Sequence, residues 1–121
     1  MRYFRLIALV FFLSAVFQPA FACGQNVNWS ANSATDAFNR LVRAETVDDA
    51  QTRARRARNE VQTLEMVTMQ CCFLASTEFS NTSLQLRRVS NEDDPNEISN
   101  YIRRAVRSFN SGINYLNSRI C

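Results

Sequence analysis

Along most of the chain, apolar residues recur with the period of a helix rather than that of a strand. Ala50, Ala54, Ala57, Val61, Leu64, Thr68, Cys71 and Ala75 follow one another at alternating spacings of 4 and 3, a heptad-like seam. No Gly or Pro interrupts the chain from Thr46 to Val89. The seam predicts a helix over residues 46–80, with Thr46 as N-cap and Asp48 and Asp49 facing the positive end of the macrodipole. Its small residues allow a neighbouring helix to approach closely, and Met66, Met69, Phe73 and Phe79 are read as widening the buried face.

Two further stripes flank this one. Ala34, Ala37, Phe38, Leu41 and Val42 share a face and predict a helix over 33–44, opened by Ser33 and Asp36 as a short-armed capping box. Asp94 followed by Pro95, with Glu97 in the first turn, opens a helix whose stripe is Ile98, Tyr101, Ile102, Ala105, Val106 and Phe109. That helix spans 95–111, or runs to 119 if the stripe continues through Ile113, Leu116 and Ile120. In the shorter version Gly112 ends it at Ser111. At ~1.5 Å per residue, a straight antiparallel helix running on to Cys121 would overshoot Cys71. Between the stripes, residues 81–94 read as a polar connection with room for a turn of helix from Leu84 to Val89, because Asn81, Thr82 and Ser83 compete for backbone hydrogen bonds. Residues 23–32 read as an extended arm with the indole of Trp29 packed on the domain. With only two Gly and two Pro in the chain, the fold class is all-α: a small three- or four-helix bundle.

The first 22 residues differ from all of this. Arg2 and Arg5 precede an apolar run from Leu6 to Phe17, and Pro19 leads into the triplet Ala20, Phe21, Ala22. This is the pattern that a signal peptidase cuts, and the run is short of the ~20 residues that span a bilayer. Residues 1–22 are therefore read as a cleaved signal peptide and 23–121 as one helical domain, secreted or periplasmic, without a transmembrane segment. Cys23 directly after the cut raises the alternative of a lipoprotein, although bulky Phe21 fits a lipidation signal poorly.

Four cysteines, Cys23, Cys71, Cys72 and Cys121, in a short exported chain read as two disulfides. A vicinal Cys71–Cys72 bond would be strained. Either remaining pairing ties each chain end to one of Cys71 and Cys72, closing loops of nearly fifty residues, each worth ~4 kcal/mol by loop entropy. The adjacent cysteines lack the spacer of a zinc site, and no metal or cofactor is expected.

Charge changes the picture less than it first suggests. All 14 basic residues are Arg, against 11 acidic ones, and two of those Arg leave with the signal peptide. The processed chain is close to neutral, so its charge is no specific signal for nucleic acid. The absence of His removes Ser-His and Cys-His nucleophiles, histidine bases and histidine metal ligands, and with them the chemistry of the helical secreted phospholipases. No catalytic residues are identified. Glu60 and Glu65 are five apart and do not share a helix face. The acidic run Glu92, Asp93, Asp94 lacks the order of a calcium loop and reads as a capping cluster.

One charged feature remains. Arg53, Arg55, Arg56 and Arg58 lie within six residues, with Arg55 and Arg58 on one side of the helix and Arg53 and Arg56 on another. They are the candidate anion- or partner-binding residues, while Asp49 and Glu60 stand four residues from Arg53 and Arg56 as local ion-pair partners. Together these features point to an exported, non-enzymatic binding protein of the inhibitor, immunity, chaperone or assembly-partner type, with another protein as its partner. The alternative is a secreted effector or toxin-like domain that binds anionic surfaces through the Arg-rich helix face.

Overall fold

A computed structural model describes residues 23–118 and Cys121; the export signal read from residues 1–22 lies outside them, as does Ile120. Four helices follow one another: α1 (Gln25–Val42), α2 (Val47–Thr68), α3 (Phe73–Ser90) and α4 (Pro95–Asn117). The protein is a disulfide-stapled helical bundle. Each helix packs against the next in sequence, whereas α1 meets α4 at few points. That gap is bridged by aromatic rings: Phe38 of α1 lies 4.7 Å, centroid to centroid, from Phe109 of α4, and Phe79 of α3 lies 5.6 Å from the same ring.

The seam read from the sequence forms the inner face of α2: Ala50, Ala54, Ala57, Val61, Leu64 and Thr68 are fully buried. Thr46 accepts a hydrogen bond from the Asp49 backbone N–H at 3.1 Å, and Asp94 accepts one from that of Asn96 at 2.9 Å. These side chains satisfy donors that a helix start otherwise leaves unpaired.

The remaining element boundaries differ from the sequence reading. Residues 25–32 are helical, not an extended arm, because Val27 and Ala31 continue the buried row of Ala34, Phe38 and Leu41 at spacings of 4 and 3. The phase that buries Val27 turns Trp29 outward, where it is 77% exposed rather than packed on the domain. Ser33 lies inside α1 and opens nothing.

The helix expected over 46–80 ends at Thr68 and a new one starts at Phe73. Cys72 sits between them with an extended φ of −152°, and its N–H reaches back to the Thr68 carbonyl at 2.8 Å. The Ser76 hydroxyl donates to the Glu65 carbonyl at 3.1 Å, joining the start of α3 to the end of α2. Local propensity allows a continuous helix here, and the tertiary fold overrides it. The break turns α3 back along α2. Met66 and Met69 lie off the buried seam of α2 and Phe73 lies at the turn, so all three are exposed rather than core filler, and only Phe79 of that set is buried.

Residues 81–90, expected as a polar connection, are the second half of α3. Its inner face is largely hydroxylic, and two of the hydroxyls bond within the helix: Thr82 donates to the Glu78 carbonyl at 2.8 Å and Ser90 to that of Arg87 at 2.7 Å. Gly112 does not end α4, which continues to Asn117 with Ile113 and Leu116 buried. A Cβ at Gly112 would lie 2.8 Å from Cδ1 and 2.9 Å from Cζ of Phe79, so the glycine makes room for a ring from α3. The helix does not run on to Cys121: α4 ends at Asn117, about 35 Å long for its 23 residues against about 27 Å for the 18 of α3, and Cys121, beyond that end, is bonded to Cys72.

Candidate functional site

The α2–α3 turn gathers both ends of the described chain. Cys23, just before α1, is bonded to Cys71, and Cys121 is bonded to Cys72, with Cα atoms 5.5 and 4.9 Å apart. No free cysteine remains among the described residues. The Cys23 sulfur, held by Cys71, is not available for the thioether of a lipoprotein. Around this knot the surface is apolar. Met66, Met69 and Phe73 are 72, 52 and 72% exposed, with Val67 and Leu74 beside them. The disulfides explain why such a turn can hold greasy side chains in water: covalent links, rather than burial of those side chains, fix its backbone.

The arginine cluster lies further along α2 and is divided in three by the fold. Arg53 is structural: its Nε donates to Asp49 Oδ1 at 3.1 Å and its guanidinium donates to the Arg40 carbonyl of α1 at 2.6 Å. Arg58 is half-buried, its Nε shielded from solvent and without a hydrogen-bond partner. Arg55 and Arg56 are exposed, and no ion pair joins Arg56 to Glu60 among the described residues. The four arginines therefore do not form one ridge. Arg53 and Arg56 line a cleft of about 420 Å³ between α1 and α2, together with Arg40, Arg43, Asp49, Thr52 and Ala37; Arg55 and Arg58 do not.

The chain matches no family model, no curated protein and no solved structure.

Arg40 and Arg43 are the members of this cleft that the sequence reading missed. Arg40 sits in the last turn of α1 and Arg43 is its C-cap, and the short link to α2 folds them across from Asp49 and Arg53. A helical hairpin places residues at similar distances from its turn opposite each other, so pairing the two stripes would have found them.

The other charged groups have local tasks. Asp94 caps α4, Glu92 accepts from the Asp94 N–H at 3.2 Å, and Asp93 accepts from the Gln51 side chain at 3.1 Å. Gln51 also donates to the Glu92 carbonyl at 2.7 Å, fastening the α3–α4 link to the start of α2. The acidic run is thus a capping and tethering cluster. The Arg88 and Arg104 guanidinium groups lie 5.9 and 6.0 Å from the centre of the Tyr101 ring, within cation–π range. Among the described residues, no helix is long and apolar enough to cross a membrane.

Proposed function

We propose that this is an exported, non-enzymatic binding protein whose disulfide-knotted tip docks on another protein. The exposed side chains of Met66, Val67, Met69, Phe73 and Leu74, clustered on one rigid turn, carry the reading. Apolar surface of this kind is costly to leave in water, and Met and aromatic residues are enriched where proteins meet. Disulfides form and persist in an oxidising compartment, in keeping with the export signal read from residues 1–22.

The charge around the tip narrows the partner. From Asn59 to Leu86 the chain has no basic residue and three carboxylates, Glu60, Glu65 and Glu78. An anionic membrane would be repelled by this border. A protein face with an apolar centre and a basic rim complements it.

The test is co-purification of the oxidised protein with its partner from a periplasmic or culture extract, beside the double variant Met66→Ser, Phe73→Ser. Both side chains are exposed, so the variant keeps its helicity and melting temperature. The reading expects one stoichiometric partner, retained at high salt and lost with the variant. Equal capture by the variant, or retention only on anionic matrices, overturns it.

A further inference from the structure

The α1–α2 cleft stands apart from the tip: Arg56 and Met66 are ten residues, or about 15 Å, apart along α2. Four guanidinium groups, Arg40, Arg43, Arg53 and Arg56, line it against one carboxylate, Asp49. Their hydrogen bonds separate scaffold from free donors. Arg53 is held by Asp49 and the Arg40 carbonyl, and Arg40 pairs with Asp36 at 3.2 Å. The guanidinium groups of Arg43 and Arg56 have no partner among the described residues, and the exposed Thr52 hydroxyl lies between α2 positions that face the same space. The buried Ala37 adds only a methyl group to the lining, which keeps the cleft open.

We infer that this cleft binds a phosphate group, gripped by Arg43 and Arg56 with Thr52 as a third donor, while Arg53 serves as the strut that holds α1 and α2 apart at the right width. Planar guanidinium forks match the paired oxygens of a phosphate, and an excess of positive charge favours a dianion over a carboxylate. A volume of about 420 Å³ accommodates a phosphate together with the small group that carries it. A long polyanion fits less well. Arg55 does not line the cleft, Asp49 lies within its lining, and Asp36 pairs with Arg40, so no continuous basic track leads out.

The experiment is an NMR titration of the oxidised protein with pyrophosphate, against sodium chloride at matched ionic strength and against phosphatidylglycerol vesicles. Pyrophosphate is expected to shift the Arg43, Thr52 and Arg56 signals to saturation where chloride does not. The double variant Arg43→Gln, Arg56→Gln should weaken binding at least about tenfold, and Arg55→Gln by less than about twofold. All three side chains are exposed and free of intramolecular bonds, so the fold is retained. If the phosphate belongs to a lipid headgroup, vesicles shift the same signals and the double variant no longer sediments with them. If it is a soluble ester, vesicles leave those signals in place while pyrophosphate still saturates them. Shifts no larger than those in chloride, or an equal loss with Arg55→Gln, overturn the inference. Neither result bears on docking at the tip, which the Met66 and Phe73 variants test separately.

Discussion

Gly112 shows how a single residue can carry opposite meanings in sequence and in structure. A glycine near the end of a helical stripe reads as a stop signal, yet here it lies within α4 with the Phe79 ring against it. Phe79 is fully buried and packs on Phe109, so the ring has nowhere to retreat. Gly112→Ala gains up to ~1 kcal/mol of helix propensity but overpacks the core at a cost of ~1–3 kcal/mol. The contact distances decide the sign, and a lower melting temperature is expected by calorimetry; an unchanged or higher one would show that the ring can move aside. Residue-level misreadings share a cause. Trp29, Met66, Met69 and Phe73 are apolar side chains that the sequence assigns to the core and the structure leaves in water. Hydrophobicity marks what is costly to expose, whereas helical phase decides what is exposed, and phase depends on where each helix begins and ends.

Element boundaries were legible where a polar side chain caps a helix and illegible where a tertiary constraint breaks one. Thr46 and Asp94 are N-caps in both readings, because Thr and Asp before an apolar stripe can bond the first free N–H groups locally. The α2–α3 break has no such mark: no Gly or Pro is present, and the seam runs through it without a change of period. The second half of α3 was hidden for a different reason. Its buried face uses Thr82, Ser83 and Ser90 in place of aliphatics, and the hydroxyls of Thr82 and Ser90 bond their own helix's carbonyls. The candidate site was legible only in half: Arg53 and Arg56 stand out as a cluster, but Arg40 and Arg43 join them through the hairpin. One pair of substitutions separates the two readings of α1 and α2. Thr46→Ala should cost about 1 kcal/mol in urea denaturation. Ser33→Ala, in mid-helix, should be neutral or stabilise by a few tenths. A loss of similar size at Ser33 would restore it as the start of α1.

At the scale of the whole molecule, four helices of unequal composition are held by two bonds that meet at one turn. The bonds span 48 and 49 residues, so each removes a large share of the unfolded chain's freedom, worth ~4 kcal/mol against a typical domain stability of ~5–15 kcal/mol. The same arrangement stiffens one tip, where the exposed apolar residues sit, and leaves the arginine cleft to the α1–α2 hairpin. The knotted tip requires an oxidising space, which the proposed export and loss of the leader would supply. Intact mass spectrometry of the natively produced protein, with alkylation before and after reduction, tests this directly. The account predicts a chain beginning at Cys23 that takes up no alkylating reagent until reduced and then takes up four equivalents. A chain that still begins at Met1 and is alkylated at four sites without reduction would contradict it.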